Sequence, residues 1–231
     1  MTNIYSYVLS HDNGSAPNPF WGLCTLTICK PVIRRKAQKN DWVIGTGSKN
    51  SLLKNGKRSD FSNRLVYAMK ISKVLSLPDY DEFCQKNLKK KTPQWSANDW
   101  RLRLGDCIYD FSQENKPGMR KGVHNELNRQ KDLSGLNALL SNHFYYFGEQ
   151  PVMIPPKLRE IIKVSQGHKI IQQPKLVEQF EQWIRGFALN KLYANPQLSF
   201  RFIGLSIDKQ IIACSSKHFK DDIEEDEIIV C

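Results

Sequence analysis

The chain reads as an α+β protein, strand-rich over residues 1–155 and increasingly helical beyond. Three observations predict this. Apolar residues alternate at Cys24, Leu26 and Ile28, and again over eight residues at Leu65, Tyr67, Met69 and Ile71, the period of two of a strand with one buried face. Behind Pro174, Leu176, Phe180, Trp183, Ile184 and Phe187 follow the spacing of an amphipathic helix. Strands first and helices later suit a closed or half-closed barrel with flanking helices.

The opening Ile4–Leu9 is β-branched and aromatic and runs into the turn formers His11-Asp12-Asn13-Gly14. Pro17 and Pro19 keep the next stretch irregular, because each fixes φ and removes a backbone donor. Cys24–Ile28 is a second strand, ended by Pro31. Residues 32–38 make a short helical turn carrying Arg34, Arg35 and Lys36, and Asn40-Asp41 turns the chain into a third strand at Trp42-Val43-Ile44. Gly45-Thr46-Gly47-Ser48 reads as a turn, and residues 49–63 as a polar loop with an exposed hairpin tip. After the long strand 65–72, residues 79–99 read as a basic insertion or as a surface helix and loop around Lys89-Lys90-Lys91, with Asp79, Asp81 and Glu82 on a solvated turn. Trp100–Leu104 alternates like a strand, 112–137 is polar and loop-like, and Phe144–Phe147 is a buried strand. A short helix follows Pro155-Pro156, the amphipathic helix comes next, residues 198–214 return to β composition, and 221–227 form an acidic tail. The expected division is a β-rich domain over 1–155 and, over 156–231, a helical and β extension packing on it.

Hydrophobic residues at 40% and charged residues at 25% exclude a disordered or low-complexity chain. Lys+Arg 34 against Asp+Glu 23 gives +11, and residues 188–231 hold five basic against seven acidic side chains, so the first 187 residues carry +13. Such an excess suits a polyanionic partner, though it also serves solubility. No apolar run reaches membrane-spanning length and the N-terminus lacks a basic, then apolar, leader, so a cytoplasmic protein with no membrane partner is expected. The six cysteines include no CxxC pair, as expected of reduced thiols.

Residues 16–48 bring together the types that handle nucleotides. Phe20 and Trp21 offer faces for base stacking, with Asn18, Thr46 and Ser48 as candidates for base-edge or phosphate hydrogen bonds. Lys30, Arg34 and Arg35 offer cations for the backbone, and Gly47 lets main-chain N–H groups approach an anion. The glycine turn is neither a Walker motif nor GxGxxG. The five histidines show no metal-ligand spacing, so neither metal nor redox cofactor is expected. For catalysis, Asp12 with His11, Cys29 beside Lys30, and His143 near Tyr145 and Tyr146 are the candidates, but neighbours along a strand point apart.

The runs Tyr7-Val8-Leu9, Asp12-Asn13-Gly14, Ala16-Pro17-Asn18-Pro19-Phe20-Trp21-Gly22, Cys29-Lys30-Pro31, Ile33-Arg34-Arg35, Asp41–Ser48 and Leu65–Lys70 resemble the nucleotide modification associated domain 2 family, as do Gly105–Tyr109 and Phe144–Gly148. The resemblance covers residues 3–155. It implies a link to modified nucleotides in DNA, in bacterial and phage settings, as a reader or handler of such bases. The strand layout is also similar to PUA-like barrels, which bind modified bases. The leading expectation is thus a non-catalytic DNA-binding or nucleotide-binding module that recognises modified bases. The alternatives are an enzyme acting on a nucleotide or modified base, and a phage or defence accessory protein whose C-terminal region meets a protein partner.

Overall fold

The computed structural model describes residues 2–53, 57–113, 116–165 and 167–197, together with the backbone of 226–229. In chain order the strands are β1 Ile4–Leu9, β2 Cys24–Leu26, β3 Trp42–Gly47, β4 Ser51–Leu52, β5 Arg58–Ser59, β6 Arg64–Lys70, β7 Lys73–Ser76, β8 Tyr109–Asp110, β9 Gly118–Met119, β10 Asn137–Ser141, β11 Phe144–Tyr146, β12 Val152–Met153, β13 His168–Ile171, β14 Lys191–Leu192 and β15 Asp226–Ile229. The helices are α1 Pro31–Lys36, α2 Leu77–Asn87, α3 Trp100–Arg103, α4 Glu126–Ser134 and α5 Pro174–Ile184, with 3-10 turns at Lys89–Lys91 and Pro156–Ile161. The α+β class holds. The expected strands at 198–214 lie outside the described residues, as does most of the acidic tail.

The main sheet runs β14-β11-β6-β3-β1-β13-β15, with β12 also on β6. β1 pairs in parallel with β3 (Ile4 opposite Trp42, Leu9 opposite Gly47) and antiparallel with β13. A second sheet runs β2-β10-β7. The period of two along β1 sorts its side chains. Tyr5, Tyr7 and Leu9 point between the sheets, packing with Val43, Tyr67 and Met69 against Cys24, Leu26 and Leu139. Ile4 points to the other face, where Trp42, Ile44 and Tyr145 meet Leu158, Ile161 and the α5 stripe Leu176, Phe180 and Ile184. The amphipathic pattern of α5 therefore buries the face that periodicity assigned to it.

Among the described residues neither sheet closes, so the barrel expectation gives way to an open eight-stranded sheet faced by a three-stranded one. The free edge of β2 meets an isolated bridge, Asn18 with Thr25, and not a strand that could complete a ring. Four further readings are corrected. β3 continues through the supposed glycine turn, with Gly45 paired to Tyr7 and Gly47 to Leu9; a Cβ at Gly45 would sit 2.4 Å from the Tyr67 ring and one at Gly47 2.3 Å from the Phe61 carbonyl. These glycines serve close packing. Trp100–Arg103 is a helical turn capped by Asp99, whose carboxylate accepts the Arg101 N–H at 3.0 Å. The stretch read as a loop contains α4, opened by a capping box between Asn125 and Asn128. Its buried residues are Asn128 and Asp132, so no apolar stripe announced it. Asp81 lies in α2, buried, with Arg120 at 2.8 Å, and is no solvated turn residue.

Candidate functional site

Loop 16–23 is held from below by a buried lysine. Lys91 Nζ lies 2.8 Å from both the carbonyl and the side-chain oxygen of Asn18, 2.7 Å from Leu23 O and 2.9 Å from Thr25 Oγ1. Asp106 completes the network, accepting from Thr25 at 2.6 Å and Tyr80 at 2.7 Å. Burial pushes the Lys91 pKa down and the Asp106 pKa up, each opposed by the other's charge. Asn18 also donates to Leu104 O at 2.9 Å, which engages its amide on both sides.

Above this floor lies an aromatic and basic surface. Phe20 is buried edge-on against Trp100 at 5.5 Å, whereas Trp21 is half-buried. Lys90 Nζ lies 4.8 Å and Arg101 Cζ 5.0 Å from the centre of the Trp21 ring. Lys121 Nζ sits 5.9 Å from the Trp95 ring, and Lys89, Lys90, Arg101 and Lys121 are all exposed.

The three cations from 30 to 35 separate. Arg34 is fully buried, donating to Cys29 O at 2.8 Å, to Asn137 O at 3.0 Å and to Asp132 O. Its fork ties α1 to the end of α4, and a Cβ at Gly135 would collide with the guanidinium. Arg35 is exposed and donates to Ser134 O at 2.6 Å. Lys30 Nζ lies 4.8 Å over the Tyr7 ring. Thr46 is buried with its hydroxyl on Tyr7 O at 3.2 Å, and Gly47 is packed in β3. Half-buried Ser48 accepts the Asn50 N–H at 3.2 Å. The structure thus brings Asn18, Phe20 and Trp21 together, parts Lys30, Arg34 and Arg35 into three different surroundings, and sets Thr46, Gly47 and Ser48 along β3 and just past its end.

The turn between β2 and α1 has a different character. Cys29 and Lys30 hold φ of 58° and 42°, both in the left-handed region that side chains other than glycine rarely enter. The elbow is pinned by Asp132, whose Oδ1 accepts the Cys29 N–H at 2.9 Å. The same carboxylate, through Oδ2, holds His124 Nδ1 at 2.6 Å and Tyr109 OH at 3.0 Å. His124 Nε2 then faces Cys29 Sγ at 3.4 Å. His124 is 6% and Asp132 1% exposed, while Cys29 is half-buried. Burial alone would lower the His124 pKa, but the Asp132 carboxylate and the Cys29 sulfur outweigh it and raise it well above the ordinary value. Burial alone would raise the Asp132 pKa, but His124, and then Arg34, hold it below.

Beyond Lys30 the interior stays polar. Tyr7 and Tyr67 share a hydroxyl contact of 2.8 Å, and Tyr146 OH lies 2.6 and 2.7 Å from the two Asp12 oxygens. Burial, opposed by the Tyr146 hydrogen bond, pushes the Asp12 pKa up to about 6. Of the catalytic candidates, Asp12 thus partners Tyr146. His143 packs edge-on to Trp42 at 5.3 Å with its pKa lowered by burial. Cys29 finds His124. Sequence reasoning missed His124 and Asp132 because they flank and enter a polar helix, and Asn125 with Asn128 as a cap was the signal that could have revealed it.

Among the described residues no group of three or more His, Cys, Asp or Glu side chains could hold a metal, and no helix is long and apolar enough to cross a membrane. Comparison with curated proteins and with solved structures finds no significant match. The family model for nucleotide modification associated domain 2 matches residues 1–203, reaching past the motifs of the first 155 into the helical part, and the chain belongs to that family.

Proposed function

We propose that this protein binds nucleotides or nucleic acid and recognises modified bases, using the Trp21 surface as its stacking platform. The observation that carries the reading is the half-buried Trp21 ring with Lys90 and Arg101 at 4.8 and 5.0 Å. An aromatic face accepts any base, and adjacent cations neutralise the phosphates on either side of it. Both cations are long and exposed; Lys90 can turn from the ring to a phosphate as a base arrives, and Arg101 does so by exchanging its ion pair with Asp99, at 2.7 Å, for that contact. Of the nine candidate residues between 18 and 48, Trp21, Lys30, Arg35 and Ser48 are placed by this reading against ligand. Asn18, Phe20, Arg34, Thr46 and Gly47 shape the surface from beneath. Family membership supports nucleotides as the ligand class.

The test is binding of Trp21→Ala, and of Lys90→Ala combined with Arg101→Ala, to oligonucleotides with and without modified bases across a salt series. Loss of one stacked base costs about 1–3 kcal/mol, roughly fivefold to 150-fold in Kd. The double variant flattens the salt dependence by about 1.4–1.8 in log–log slope if both cations meet phosphate. Unchanged affinity and slope in both variants would remove this surface from the site.

A further inference from the structure

From the elbow between β2 and α1 we infer a second activity: Cys29, His124 and Asp132 form a nucleophilic triad that cleaves an ester or amide carbonyl by acyl transfer through sulfur. The geometry is that of a thiol with its general base and the group that orients the base. Cys29 Sγ is 3.4 Å from His124 Nε2, and His124 Nδ1 is 2.6 Å from Asp132 Oδ2. Two further features separate this from a casual buried contact. The nucleophile sits on a strained strand-to-helix turn, φ 58° at Cys29, as nucleophiles of other folds do when the turn projects them clear of the sheet. Asp132 also accepts the Cys29 N–H at 2.9 Å, so one carboxylate fixes both the backbone of the nucleophile and the ring of its base. Of the four described free cysteines, Cys24, Cys84 and Cys107 are buried, and only Cys29 is partly open to solvent.

In the reaction, sulfur attacks the carbonyl carbon while His124 holds the thiol proton, and the carbonyl π pair moves onto oxygen. Collapse of the tetrahedral adduct breaks the C–O or C–N bond, and His124 delivers the proton to the departing oxygen or nitrogen. The product is a thioester on Cys29. Water, giving a proton to His124, attacks that thioester; the S–C bond breaks, the proton returns to sulfur and a carboxylic acid leaves. Water is the co-reactant and nothing is oxidised or reduced. Cys29 and His124 are the catalytic residues. Asp132 is a positioning residue, acting through the ring. That the acyl group is carried on a nucleobase rests on the nucleotide reading above.

The full chain is incubated with p-nitrophenyl acetate and, in parallel, with N-acetylated cytidine and oligonucleotides containing it, followed by intact mass and peptide mapping. The expected result is a burst with one acetyl group on Cys29, about a hundredfold faster than on the thiols of the same chain unfolded in urea, the lower end of what positioned acid–base catalysis supplies. Cys29→Ser loses the thioester. Asp132→Asn lowers kcat with KM unchanged and moves the limb of the pH profile that reports His124 to lower pH, which a merely structural role would not do. Acetylation of Cys29 no faster than in urea, measured on the unaltered chain, overturns the triad, whether or not oligonucleotides bind at Trp21. Fast acetylation from the ester with none from the acylated nucleobases upholds the triad and overturns the nucleobase as its substrate.

Discussion

Asp12 and Asp132 are each 1% exposed, yet their surroundings drive their titration in opposite directions. Asp12, at the tyrosine-lined end of the space between the sheets, has neutral partners: the Tyr146 hydroxyl and backbone N–H groups. Those hydrogen bonds repay only part of the lost hydration of an anion, and its pKa rises to about 6. Asp132, at the elbow, faces His124 and lies near the Arg34 guanidinium, and those positive charges hold its pKa below the ordinary value. Burial alone therefore does not decide a carboxylate's charge; the sign of the nearest neighbour does.

The stability consequences are opposite as well. Asp12 has a folded pKa above its unfolded one, so its contribution is whole below about pH 3.8 and is lost as pH rises through about 6. Asp132 has a depressed folded pKa, so its contribution is present above the unfolded value and is lost as pH falls through the folded one. His124, raised, contributes fully below its unfolded value and loses that contribution as pH climbs through its elevated folded one.

The sharpest way to break this contrast is Asp132→Ala at neutral pH. It leaves His124 and Arg34 buried without their counter-charge and should cost about 3–5 kcal/mol in a urea titration. A loss under about 1 kcal/mol, the level of an exposed ion pair, would mean that the elbow is not held by its charges. Asp12→Asn should do the reverse. Near neutral pH it removes the anion and gains up to about 3 kcal/mol, two pKa units' worth, and near pH 3.5 it changes little. Denaturant midpoints followed against pH would show it, and equal effects at both ends would refute the raised pKa. The smallest effect belongs to the exposed neighbour of a buried arginine: Arg35→Ala should stay within about 0.5 kcal/mol of the parent stability, since its hydrogen bonds to Ser134 lie at the surface. A larger loss would place Arg35 in the structural tie that Arg34 makes.

Much of the frame was legible from residue order. The strands at Ile4–Leu9 and Arg64–Lys70 appear where composition and alternation assigned them, although both are buried on both faces; helix α5 appears where its 3.6-residue stripe assigned it, because it buries a single apolar face. Trp42 and Tyr67, both assigned to strands, lie in the core. Helix α4 was illegible because its inward face is polar. Trp100–Arg103 was misread because a few alternating residues fit a strand as well as a single helical turn, and the Asp99 cap decided between them.

Sequence by itself determined the α+β composition, the basic charge, the aromatic and cationic inventory of residues 16–48, and the motifs that mark the family. Only the tertiary structure decided which of those side chains face outward. It buried Arg34 on backbone carbonyls, left Trp21 beside two exposed cations, and set Cys29 against a histidine 95 positions away. Periodicity reports a residue's relation to its own element. A catalytic or binding constellation is a relation between elements distant in the chain, formed only when packing brings their ends together.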